Sequence, residues 1–213
     1  NYSVGIEVAN QSGSTGVLDS GSEVSYSGMG VAFEYEYHPK EKKWAAGLKA
    51  GMATGDDKTT TDEYEGFVFD RNYDVAMILF NHAVGQLNVL HTEVNGTQFG
   101  GGTLSPLQDP DVEAISNVTY LAPYMRYKWS DRWTLHGVLA TGTIDQSELA
   151  NGSETDNDLG YELDLSLSFT PNERVTWHNT VGWFMPGKAF EGGSNDFSTG
   201  TVFGIMSRAA ISF

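Results

Sequence analysis

The chain has 213 residues, no cysteine and a formal net charge of −16. That length suits one domain. The missing cysteine excludes a disulfide framework, a thiolate metal site and a cysteine nucleophile, and the acidic balance argues against nucleic acid as a partner. Hydrophobic residues make up 39%, and no run approaches the ~18 consecutive apolar residues of a membrane helix. A β-barrel escapes that requirement, because only alternate residues of a strand face lipid.

Period-two alternation predicts eight strands. In chain order they are 2–8, 29–37, 44–52, 119–129, 133–142, 159–169, 175–185 and 202–213. Strand 2–8 sets Tyr2, Val4, Ile6 and Val8 against Ser3 and Glu7. Strand 29–37 sets Met29, Val31, Phe33, Tyr35 and Tyr37 against Ala32, Glu34 and Glu36. Strand 44–52 places Lys49 opposite Trp44, Ala46, Leu48 and Met52, and 119–129 places Arg126 and Lys128 opposite Leu121, Met125, Tyr127 and Trp129. The alternation is cleanest in 159–169, where Leu159, Tyr161, Leu163, Leu165, Leu167 and Phe169 oppose Gly160, Glu162, Asp164, Ser166 and Ser168. Asn179 interrupts the apolar face of 175–185, and Ser207 that of 202–213.

One apolar and one polar face per strand fits two folds. In a soluble sandwich the apolar face is core; in an outer-membrane barrel it faces lipid and the polar face lines the lumen. The connections favour the second. Short turns at 39–43, 130–132 and 170–174 alternate with long polar stretches at 10–22, 54–117, 143–158 and 186–200. Aromatic residues gather at the strand ends, as in interfacial girdles. The expectation is therefore one domain over 1–213, an all-β transmembrane antiparallel up-and-down barrel with short periplasmic turns and long acidic extracellular loops. Eight strands are visible, ten are possible, and the chain fits part of a larger barrel equally. No leader precedes Asn1, so a mature form or a fragment is expected. Within the insertion at about 54–117, the run 75–80 (VAMILF) lacks alternation. A loop or short helix packed at the barrel mouth is preferred there to an extra hairpin reaching His91.

The charged and polar residues of the inner faces are the candidate lumen lining: Glu7, Glu34, Glu36, Lys49, Arg126, Glu162, Asp164, His178 and Arg208. Their acidic excess points to a cation-favouring pore, or to a salt-bridged interior if the barrel is narrow. The acidic loops contain oxygen-rich clusters. None has calcium-loop spacing, so no cofactor is expected; if calcium binds, Asp56 and Asp57 are the first choice. No G-x-S-x-G or H-E-x-x-H occurs, and an enzyme is not expected.

Four short stretches, 5–11 (GIEVANQ), 53–57 (ATGDD), 159–164 (LGYELD) and 184–190 (FMPGKAF), together with the terminal Phe213, resemble the C-terminal part of the alginate-export-like porin family of bacterial outer membranes. The resemblance implies an outer-membrane barrel with an aqueous pore and, since such proteins are longer, a chain covering about the last half of one or a shortened relative. A final strand ending in Phe213 resembles the signal read by the barrel-assembly machinery. The partners this implies are the lipid bilayer, that machinery, and a further chain completing the barrel. The expected function is passive passage of small solutes or ions. The alternative is a narrow non-conducting barrel that serves as an anchor or a surface-interaction protein.

Overall fold

A computed structural model describes residues 1–19, 22–57, 59–60, 62–70, 72–81, 114–147, 156–190 and 200–212. The expected terminal signal at Phe213, and His91 at the end of the alternative hairpin, lie outside these residues.

The fold is all-β. Among the described residues nine strands form one sheet: β1 (Tyr2–Asp19), β2 (Ser22–Tyr37), β3 (Trp44–Ala53), β4 (Glu63–Tyr64), β5 (Val118–Lys128), β6 (Trp133–Ile144), β7 (Asp158–Asn172), β8 (Val175–Pro186) and β9 (Val202–Ile211). The eight long strands run β1-β2-β3-β5-β6-β7-β8-β9, each antiparallel to the next. They are the eight expected from alternation. The short β4 pairs in parallel with β2 at Ser25 and Tyr26; a two-residue strand carries no periodicity and had no signal in the sequence.

Two expectations are corrected. First, the sheet is not closed: β1 and β9 end the strand order and do not pair with each other. Second, the stretch 10–22 is not a loop. β1 continues to Asp19 and β2 starts at Ser22, so a long hairpin projects where alternation had faded. The stretch is mostly small and polar, and its Val17 and Leu18 are adjacent rather than alternating, so no period-two signal marks it.

The short connections are closed by local side chains. Ser130 Oγ accepts hydrogen bonds from the backbone N–H of Arg132 and of Trp133 at 3.3 and 3.2 Å. Asn172 Oδ1 accepts from Arg174 N at 2.9 Å, leaving only residues 173–174 between β7 and β8.

The two faces of the sheet differ completely. One is bare. Of the large apolar side chains that remain exposed, all except Trp129, in a turn, and Met206 lie on this face by strand register. The other face is covered by the segment Glu63–Asn81, which crosses it from Gly30 on β2 to Gly204 on β9. The buried core lies between them: Phe67, Val75, Ile78, Leu79 and Phe80 from the segment pack with Ala53, Tyr120, Ala122, Ala140 and Phe184 from the sheet. The non-alternating run 75–80 is thus irregular chain, apolar because it is buried. Among the described residues it is neither a helix nor a hairpin strand.

Candidate functional site on the covered face

Alternation and register place Glu7, Glu34, Glu36, Lys49, Arg126, Glu162, Asp164, His178 and Arg208 on the same face, the covered one. They do not form one cluster. The half nearer the long connections lies under the inserted segment, and the half nearer the short turns is open and polar.

Under the segment, Glu162 is fully buried and Asp164 nearly so, at 4% exposure. Their partners are backbone amides. Ile78 N donates to Glu162 Oε1 at 2.7 Å, Leu79 N to Glu162 Oε2 at 2.6 Å, and Met77 N to Asp164 Oδ2 at 2.8 Å. Three consecutive N–H groups of irregular chain are therefore satisfied by two carboxyl groups of β7. Without them those donors would be buried and unpaired, which is costly. Asp164 Oδ1 is buried with no hydrogen-bond partner among the described residues. Gly182 on β8 makes the arrangement possible: a Cβ there would stand 2.7 Å from Asp164 Oδ1 and 3.2 Å from Met77 Sδ. The alternation placed Glu162 and Asp164 on the inner face but gave no hint of this role, since the amides they hold lie more than 80 residues away in the chain.

Next to this latch runs an aromatic row. The Phe67, Phe69, Tyr73, Tyr120 and Phe80 rings meet edge-on or tilted at 5.7 to 6.4 Å. Lys49 Nζ donates to Asp74 O at 2.7 Å and lies 5.1 Å from the Tyr73 ring centroid. A half-open recess of about 160 Å³ remains between the segment and β1–β2, with Glu7, Asp70 and Tyr73 in its wall.

The open half is a polar network. Glu36 spans from β2 to β5, taking Arg126 Nη2 at 2.8 Å and Tyr124 Oη at 3.1 Å. Lys49 stands 3.6 Å from Glu34, Ser168 Oγ lies 2.7 Å from His178 Nδ1, and Ser166 Oγ meets Thr180 Oγ1 at 2.9 Å. Beside the short turns a second recess, about 280 Å³, is lined by His38, Lys42, Lys43, Arg126 and Lys128. The lining of this recess is basic, with Glu36 held against Arg126 beside it.

Where β8 and β9 cross the bare face, Asn179 and Ser207 interrupt its apolar run, and they are cross-strand partners. Ser207 Oγ donates to Asn179 Oδ1 at 2.9 Å and accepts from Trp177 Nε1 at 2.7 Å. Aromatic residues border the face on the short-turn side, with Tyr37 against Trp44 and Trp133 stacked on Phe169 at 4.4 Å. On the other side Trp183 meets Phe203 at 5.4 Å.

The acidic pair Asp56 and Asp57 serves its own loop. Asp56 Oδ1 accepts Glu65 N at 3.1 Å, and Asp57 Oδ1 accepts Thr59 N and Oγ1 at 2.8 and 2.7 Å. The bond from the Thr59 hydroxyl holds the Asp57 carboxyl below its ordinary range, while burial pushes the neighbouring Glu65 up. Among the described residues no group of three or more His, Asp or Glu gathers as a metal site.

Neither a protein-family model nor a curated protein matches the chain.

Proposed function

We propose that the chain forms wall of a bacterial outer-membrane barrel, inserted by the barrel-assembly machinery, through which small solutes or ions pass passively with cations favoured. The observation that carries this reading is the bare face. Val4, Ile6, Leu139, Leu165 and Ile205 stand exposed at 55%, 69%, 46%, 48% and 70%. In water a continuous apolar surface of this kind drives association; against lipid tails it is the expected surface of a membrane strand. Three details support the same environment. Aromatic pairs border the face at both ends, where a bilayer has its interfaces. Asn179 and Ser207 on this face satisfy each other, as groups in hydrocarbon must. The nine candidate lumen residues, Glu7 to Arg208, all lie on the opposite face, where a lumen would be.

Cation preference follows from the accessible acids. Glu162 and Asp164 are engaged under the segment, so Glu7 and Glu34, both exposed, are the lumen carboxylates a passing ion would meet. The resemblance to alginate-export-like porins agrees with a porin-like ancestry, and the cargo is left as small solutes or ions. A second reading, a plugged barrel acting as a surface-interaction protein, is favoured by one observation: the segment Glu63–Asn81 fills much of the covered face.

Reconstitution in brominated-lipid vesicles tests the membrane assignment. Fluorescence of Trp133, Trp177 and Trp183 should be quenched strongly, and quenching no greater than for a soluble control would refute it. Vesicle swelling in small sugars and salts then separates the two readings: swelling supports a channel, and its absence supports a plugged barrel.

A further inference from the structure

We infer that the recess between the inserted segment and β1–β2 binds a small methylated ammonium ion, its cationic head among the rings of Phe67, Phe69 and Tyr73 and beside the Glu7 carboxylate. This deepens the cation-favouring reading above, and rests on the covered face meeting water.

The sheet supplies the depth and the segment supplies the rings. On the sheet side the lining is two cross-strand pairs, Glu7 with Ala32 and Ala9 with Gly30. Three of these four side chains are a methyl group or a hydrogen, which leaves space above the backbone. Gly30 is required: a Cβ there would stand 2.6 Å from Phe67 Cδ1 and 2.8 Å from Phe69 Cε1. Phe69 meets Phe67 at 5.8 Å and 84°, and Tyr73 at 5.7 Å and 64°. The ring planes therefore turn from one to the next and wall a corner instead of a flat stack. Tyr73 already holds one cation against its ring, the Lys49 ammonium at 5.1 Å from the centroid. Lys49 is itself anchored by Asp74 O and Glu34.

Charge and size select the guest. The charged residues of the lining are Glu7 and Asp70, and among the described residues no Lys, Arg or His joins them. Glu7 is exposed and, among the described residues, has no ion-pair partner. Asp70 Oδ1 accepts from Asn72 N and Nδ2, each at 2.8 Å, which orients its carboxyl group. Burial pushes the Tyr73 phenol up, and the Glu34 and Glu7 carboxylates push it further, so its hydroxyl stays neutral in a negative field. That field repels anions. A calcium ion needs about six to eight oxygen ligands, and among the described residues no group of three or more His, Asp or Glu gathers. A primary ammonium is strongly hydrated and gains little from aromatic walls. A methylated ammonium presents methyl groups outward and a diffuse charge, the combination that aromatic faces recognise. The recess measures about 160 Å³, and cavities near 150 Å³ accept a benzene-sized guest. A trimethylammonium head is of that size, and the open side leaves room for the remainder of the molecule.

Isothermal titration of folded protein tests this in a maltoside detergent, which brings no ammonium headgroup of its own. The probes are choline chloride and 3,3-dimethylbutan-1-ol, its uncharged isostere. Choline should bind saturably and the alcohol about tenfold more weakly. E7Q changes an exposed side chain, and F69L keeps apolar volume while removing a ring; each should weaken choline about fivefold. A32L fills the recess from the sheet side and should abolish binding. Equal affinities for the two probes would reduce the recess to an apolar hollow and overturn the inference. Choline binding unmoved by E7Q and F69L, or surviving A32L, would place the ion elsewhere and overturn it too, as would folded wild-type protein with no saturable choline binding. None of these readouts needs conductance. Choline binding by protein that leaves bilayers silent would keep this site and refute the channel, and conducting protein without choline binding would do the reverse.

Discussion

Replacing Glu162 by Ala should free the inserted segment while leaving the sheet intact. Glu162 accepts two hydrogen bonds, from Ile78 N and Leu79 N, and is fully buried. Its removal leaves two buried donors unpaired at roughly 1–3 kcal/mol each, about 2–6 kcal/mol together. The sheet does not depend on this contact, since the backbone ladder on either side of β7 runs through ten or more paired residues. The loss should therefore appear as local opening rather than global unfolding. Hydrogen exchange by mass spectrometry measures it directly: at about 1.4 kcal/mol per tenfold, amides of residues 77–79 should exchange about 30-fold to 10⁴-fold faster. Amides of β6 and β8 should change little. Unchanged protection at 77–79 in folded protein would show that the carboxyl group does not hold the segment. A uniform loss across all strands would show that the segment is part of the global core, not a local insertion.

Other outcomes follow from the same geometry. Gly182→Val places atoms where Asp164 Oδ1 and Met77 Sδ now lie, and should loosen the segment by about 1–3 kcal/mol, as overpacking does, read by the same exchange experiment. Leu165→Arg on the bare face should cost about 2–4 kcal/mol in refolding titrations into bilayers, whereas Ser166→Arg on the opposite face should cost much less; equal costs would contradict the assignment of faces. Glu65 provides a pH test. Burial raises its folded pKa above the ordinary value, so its contribution favours the fold in acid and is lost as pH rises through that raised value. Glu65→Gln should accordingly increase protection of the neighbouring Phe67 amide at neutral pH and leave it unchanged in acid; a gain in acid alone would reverse the sign of the argument. Calcium and chelator should leave the melting temperature unchanged, because Asp56 and Asp57 are occupied by their own loop.

The eight long strands were legible because each separates two environments, and period-two alternation records that separation residue by residue. The same cause explains what was not legible. The far half of the β1–β2 hairpin carries no apolar–polar alternation, so its residues look like loop. The run 75–80 is apolar throughout because it is irregular chain packed into the core against the sheet, and irregular chain has no period. Asn179 and Ser207 were separate flaws in two strands until the β8–β9 register made them partners. Glu162 and Asp164 were placed on the correct face, but the sequence does not say whether a carboxyl group on that face meets water, a cation or a backbone amide. Here the amides are brought in from 83 to 87 residues away, and no local pattern encodes such a contact. Open sheet edges are equally invisible, because alternation gives the faces of a strand and not its neighbours.

Planar-bilayer recording under a salt gradient addresses the central claim most directly. Folded protein should produce discrete conductance steps with a reversal potential of cation-selective sign, moving toward zero when Glu7 and Glu34 are both replaced by Gln. Bilayers that stay silent after insertion of folded protein would contradict the channel, and a selectivity unmoved by the double replacement would contradict the part assigned to the two exposed carboxylates.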